Sequence, residues 1–126
     1  MYNPTILKPG DFFMLQNWTD TLANNRKAGE ALGKHNPQLL TAFRALNQAQ
    51  GATGTLDAKT RELIALAVAV TTRCDGCIAA HAGAARKAGV TEVELSEALS
   101  TAIALNAGAA YVYSLRAMDA LAAGQA

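Results

Sequence analysis

Eight consecutive residues, Leu63 to Val70, read Leu-Ile-Ala-Leu-Ala-Val-Ala-Val and offer no polar side chain on any face. A segment of that kind has to be covered all round, in a domain centre or between subunits. It is the longest apolar run in the chain and falls far short of the ~20 residues that a membrane-spanning helix needs. Its β-branched members also suit a buried strand. Asp57, a good N-cap just upstream, and the length of the stretch running on to about Arg73 decide for a helix.

The rest of the chain points the same way. Its hydrophobic fraction is 51%, yet aromatic residues make up only 6%, and alanine supplies much of the difference. Alanine is the best helix former, and small side chains let helices approach closely. The prediction is an all-α fold. A chain of 126 residues reads as a single domain, 1–126, able to bury a core without a disulfide or a metal to hold it.

Residues 1–10, with Pro4, Pro9 and Gly10, read as an extended arm. A first helix is expected from Asp11 to about Lys34, with Phe12, Leu15, Trp18 and Leu22 at helical spacing. Asn36-Pro37 opens a second, ending near Gln50, and Asp57 opens the third, the apolar one. A fourth begins at Cys74–Cys77 and stops near Ala88, with Gly89 fitting the left-handed position beyond a helix end. Thr91-Glu92-Val93-Glu94 matches a capping box that starts a fifth. Asn106-Ala107-Gly108 is read as a break before a sixth, at about 109–122. The architecture is therefore about six helices, with a central buried helix followed by one that opens on a C-x-x-C pair.

Lys and Arg number 11 against 10 Asp and Glu, a formal charge of +1. No basic cluster marks a nucleic-acid or membrane footprint. The opening residues, Met1 to Thr5, lack the basic-then-apolar pattern of a signal peptide. The expectation is a soluble cytoplasmic protein binding neither nucleic acid nor membrane. In a reducing compartment a close cysteine pair reads as catalytic or metal-binding rather than as a staple.

Both cysteines of the chain and one of its two histidines fall within Cys74-Asp75-Gly76-Cys77-Ile78-Ala79-Ala80-His81. Unpaired N–H groups and the positive dipole end at a helix start stabilise a thiolate there, which favours Cys74. His81 lies four residues after Cys77 on the same helical face and can take its proton, which favours Cys77. Lowering a thiol pKa from ~8.5 to ~6.5 raises its thiolate fraction at neutral pH from about 3% to about 75%. The spacing alone leaves the order of attack open. Glu62 shares an apolar stripe with Ala65, Leu66, Ala69 and Arg73, and a carboxylate placed so needs a partner. If the third and fourth helices run antiparallel, Glu62 lies about 16 Å from their joint and His81 about 9–10 Å. Helix tilt and the Glu side chain, or a water, must then close a Glu–His–Cys relay.

Other readings of the same residues stand beside this one. C-x2-C-x3-H supplies three zinc ligands, with Glu62 or His35 as a fourth, although structural sites usually draw a second ligand pair from elsewhere. Glu62 also suits a first-turn acid near Lys59, and His35 a solvated loop residue. The small residues from Ala79 to Ala85 read as close helix packing.

Leu56-Asp57-Ala58-Lys59-Thr60-Arg61-Glu62-Leu63-Ile64-Ala65-Leu66-Ala67-Val68 followed by Cys74 to His81 resembles the alkylhydroperoxidase D-like (AhpD-like) branch of the carboxymuconolactone decarboxylase family. The likeness is dense over about residues 50–112. Glu62, Cys74, Cys77 and His81 all meet the spacing of that branch's signature. The resemblance implies an all-helical fold, homo-oligomers (trimers or hexamers), and a dithiol peroxidase with no cofactor or metal. By that likeness Cys77 attacks a small hydroperoxide, with its proton drawn through His81 toward Glu62. Cys74 then resolves the sulfenic acid to a disulfide, which an external dithiol of thioredoxin or lipoyl type reduces. One position departs from the founding peroxidase of the branch, where a second histidine precedes the second cysteine and this chain has Gly76. The decarboxylase branch, acting on a small cyclic acid, generally lacks the cysteine pair.

Overall fold

The computed structural model describes residues 15–124. The predicted arm at 1–10, and the expected helix start with Phe12, lie outside the described residues. Those residues form five helices: α1 (Trp18–His35), α2 (Pro37–Ala49), α3 (Ala58–Thr72), α4 (Asp75–Lys87) and α5 (Glu92–Ala123). The fold is all-α, and no strand occurs among the described residues.

Each boundary has a local cause. The Asn17 side chain accepts from the Asp20 N–H and starts α1 at Trp18. Asn36 does the same for α2 through Leu39 N–H, with Pro37 in the first turn where its missing N–H costs nothing. Asp57 caps α3 by accepting from Thr60 N–H at 2.8 Å. Gly89, at φ +84°, closes α4 in a Schellman arrangement: Val90 N–H reaches Ala85 O and Gly89 N–H reaches Arg86 O. The capping box of α5 is complete, with Glu94 N–H to Thr91 Oγ1 and Thr91 N–H to Glu94 Oε2.

The expected sixth helix is absent, because α5 runs unbroken through Asn106-Ala107-Gly108 for 32 residues. A glycine in an exposed helix interior costs only about 1 kcal/mol against alanine, and the alanines on either side sustain the helix. Asn106 does not turn the chain either. Its Nδ2 donates to Ala102 O on its own helix and to Thr71 Oγ1 on α3, so the residue read as a breaker ties two helices together.

The α3–α4 hairpin is the centre of the molecule. α3 packs on α4 and on α5, while α1 packs on α4 and on α2. The buried side chains of the core are Leu66 and Ala69 from α3, Ala79 and Ala85 from α4, and Ala102 from α5. Four alanines and one leucine let the helices close tightly but leave a thin core. The apolar run of α3 is accordingly only half covered: Ile64, Val68 and Val70 on its other faces remain exposed. From Ile103 onward every described residue of α5 is exposed. By length and composition α5 is also long and apolar enough to cross a membrane.

Two caps also bind this centre electrostatically. Hydrogen bonding from Thr60 holds the Asp57 carboxyl below its usual range. The Lys59 ammonium, 2.6 Å from Glu94, and then the Thr91 amide do the same for Glu94, linking the start of α3 to the start of α5. A depressed folded pKa stabilises the fold above the ordinary values of 3.8 and 4.5, and that contribution is lost as pH falls through the depressed values. Asn still caps a helix but does not titrate. The doubly substituted Asp57→Asn, Glu94→Gln protein should therefore lose less thermal stability between about pH 5 and pH 3 than wild type. Parallel melting curves followed by circular dichroism check this, and equal losses would refute it.

Candidate active site

The joint between α3 and α4 sets the site. Arg73 takes a left-handed backbone (φ 55°), a conformation that costs a non-glycine residue about 1–2 kcal/mol. The hydrogen bonds around it, Arg73 N–H to Val70 O and Cys74 N–H to Ala69 O, end α3 in a Schellman arrangement. Cys74 is thus the residue that both leaves α3 and caps α4. Its Sγ accepts from Cys77 N–H at 3.2 Å, the place where helix-end amides and dipole favour negative charge on sulfur. Cys74 and Cys77 are joined in a disulfide, with Cα atoms 5.2 Å apart. The structure is therefore that of the oxidised dithiol.

One turn along α4, His81 points at Glu62 on α3, with Nδ1 2.7 Å from Oε2. The side chains are 27% and 20% exposed respectively, so the pair is sheltered but not sealed. The contact is direct, and helix packing closes the axial offset without an intervening water. A carboxylate can only accept, so a neutral imidazole bonded to it donates from Nδ1 and keeps its lone pair on Nε2.

A cleft of about 420 Å³ opens beside this pair. Cys77 and His81 line it on one side, and Ile64, Ala65, Val68 and Ala69 form its apolar floor on α3. Asn47 from α2, Gln50 at its C-cap, and Leu56 and Arg61 before and within α3 also line it. Cys74 is not among its lining residues. The sequence left the two cysteines undecided; in the structure Cys74 sits at the helix cap and Cys77 at the cleft.

Of the four sequence-predicted residues, Cys74 and Cys77 meet at the α3–α4 joint, Glu62 and His81 meet between the same two helices, and Cys77 and His81 line one cleft. His35 does not join them. It ends α1, exposed, as a helix residue rather than the loop residue expected. Among the described residues, no group of three or more His, Cys, Asp or Glu side chains is placed to hold a metal ion.

Sequence reasoning missed four contributors. Asn25 of α1 lies over Gly76, where an added Cβ would meet Asn25 Nδ2 at 2.5 Å. A histidine at position 76 would need the Asn25 side chain to swing away, which gives the Gly76 departure a local cause. Arg61 was hidden by its neighbour Glu62, and Asn47 with Gln50 carried no spacing signal at all. They line the cleft from the C-terminal end of α2, which packs on α1.

The sequence matches the Carboxymuconolactone decarboxylase family over residues 37–120, which takes in α2 to α4 and most of α5. An uncharacterized protein of Haemophilus influenzae is 55% identical over 107 residues, covering 85% of this chain and 95% of that one. The uncharacterized protein 4 in the cox locus of Paracoccus denitrificans is 40% identical over 98 residues, covering 75% of this chain and 88% of that one. A third, from Cupriavidus necator, is 36% identical over 94 residues, covering 75% and 82%. With most of the chain matched and the signature residues gathered on the α3–α4 hairpin, this protein belongs to the carboxymuconolactone decarboxylase family.

Proposed function

We propose that the protein is an AhpD-like dithiol peroxidase, in which Cys77 attacks an organic hydroperoxide, Cys74 resolves, His81 is the base and Glu62 orients it. One observation carries the reading: Cys77 and His81 face the same cleft, and Glu62 fixes the imidazole so that its basic nitrogen is not the one it holds. In the reduced enzyme His81 takes the Cys77 proton. The thiolate attacks the terminal peroxide oxygen, an S–O bond forms as O–O breaks, and the leaving alkoxide takes a proton to become the alcohol. Cys74 thiol then displaces water from the Cys77 sulfenic acid and gives the disulfide seen here. An external dithiol of thioredoxin or lipoyl type reduces it, completing a cycle suited to the reducing cytoplasm.

The family's name suggests a second reading, a lyase acting on a lactone acid. The two separate on the cysteines, since a lyase using other groups keeps its activity when both are changed to Ser. The direct test of the peroxidase is consumption of cumene hydroperoxide with dithiothreitol as reductant. Absence of thiol-dependent consumption would remove this reading.

The working unit in this proposal is the whole chain as one domain, assembled into a homo-oligomer, a trimer or hexamer. In support, three helices leave side chains uncovered among the described residues. The uncovered side chains are large and apolar: Phe43 and Leu46 on α2, Ile64 and Val68 on α3, and Tyr111, Val112, Leu115, Met118 and Leu121 on α5. Apolar faces on three helices are more than one membrane-spanning helix accounts for, and copies of the chain can cover all of them. Sedimentation in detergent-free buffer should return a small multiple of 13.1 kDa. A monodisperse monomer, or solubility only in detergent, would refute the assembly.

A further inference from the structure

The cleft beside Cys77 holds a cation that the peroxide chemistry leaves idle. Arg61 is half-buried and lines the cleft. Its Nη1 donates to the Leu56 carbonyl, and its guanidinium lies against Gly51, where an added Cβ would meet Cζ and Nε at 3.3 Å. The group is therefore held in place, but by neutral partners. The ion pairs among the described residues are Lys59–Glu94 and His81–Glu62, and neither involves Arg61. Glu62, its neighbour in sequence, is taken by His81, and Asp57, whose carboxyl the Thr60 hydrogen bonds and also the Arg61 charge hold down, caps Thr60 N–H and forms no ion pair with Arg61.

A guanidinium fixed through one arm keeps free N–H groups in a fork that matches a carboxylate. Arg61 and Ala69 both line the cleft, and their levels on α3 are about 12 Å apart along the helix axis. The floor between them is Ile64, Ala65 and Val68. A cation, a reactive sulfur and a hydrocarbon floor in one cleft suit an elongated acid.

We propose that the substrate is an organic hydroperoxide bearing a carboxylate, with the carboxylate on Arg61 and the peroxide at Cys77. This rests on the peroxidase reading. The chemistry is unchanged: sulfur takes the terminal peroxide oxygen, O–O breaks, and the product is the corresponding hydroxy acid, with the external dithiol as the electron source. Arg61 acts in binding and not in the bond-breaking step, so its contribution falls on KM.

The test compares linoleic acid hydroperoxide with its methyl ester as substrates of the full-length protein, reduced by dithiothreitol. Wild type should favour the acid in kcat/KM by about tenfold, mainly through KM. Arg61→Gln should bring the acid-to-ester ratio to about one, and Arg61→Lys should retain part of the preference. The ratio is its own control for folding, because a misfolded variant loses both substrates together. An equal rate on acid and ester in wild type, or a preference that survives in Arg61→Gln, would overturn the proposal. A second arm titrates decanoate and decanol into the oxidised protein, followed by NMR shifts. If neither hydroperoxide oxidises the dithiol, the peroxidase reading falls. Decanoate binding about tenfold weaker in Arg61→Gln would then keep the anion site, and no difference between decanoate and decanol would remove it as well.

Discussion

Cys77→Ser should abolish hydroperoxide consumption and leave no single-turnover reaction, whereas Cys74→Ser should react once with each molecule and stall. The expected steady-state loss is at least about 10³-fold for either change, since a cycle that alternates dithiol and disulfide needs both sulfurs. The difference between the variants comes from placement. Cys77 faces the cleft beside His81, and Cys74 caps α4, its sulfur turned to the Cys77 amide. Removing Cys74 leaves the attacking sulfur, its base and the cleft in place, so one sulfenic acid forms per chain and waits. Trapping with dimedone and mass spectrometry should find it on Cys77 in the Cys74→Ser protein and nowhere in the Cys77→Ser protein. The opposite pattern would hand the attack to the helix-cap thiol, where the dipole argument alone puts it. Full activity in both variants would replace the peroxidase with chemistry that does not use sulfur.

What the sequence could tell followed from how local each interaction is. Every helix start from α2 to α5 was readable, because Asn36, Asp57, Cys74 and Thr91 act on amides three residues away. The four-residue constellation was readable as well, since its spacings belong to one hairpin of two adjacent helices. The Glu62–His81 bond was not forced by those spacings. It depends on the depth to which α3 and α4 interpenetrate, and that is set by Leu66, Ala69, Ala79 and Ala85 packing together. Asn106-Ala107-Gly108 misled because the propensity of glycine was weighed without the Thr71 hydroxyl, which only the fold brings to Asn106. Asn25 was invisible for the same reason, because Gly76, which it faces, comes from a different part of the chain.

Glu62→Gln should lower kcat/KM by about 10²–10³-fold, a loss within the range that a positioned general base supplies. The substitution keeps the size of the side chain and its reach to His81. It changes what the bond dictates. A carboxylate only accepts, which forces the proton onto Nδ1 and leaves Nε2 basic, whereas an amide can donate to Nδ1 and so put the proton on Nε2, where it blocks the base. His81→Gln removes the base itself and should cost a similar factor, and the double variant should fall little further, because the two residues act as one unit. The pH profile separates this role from a structural one. Hydroxide can ionise a thiol without help, so the deficit of Glu62→Gln should shrink as pH rises toward about 9, past the ~8.5 of an ordinary thiol. Loss of packing at the α3–α4 joint would instead depress the rate equally at every pH and lower the melting temperature with it. A deficit independent of pH in a protein that melts like wild type, or no deficit at all, would take Glu62 out of the proton relay.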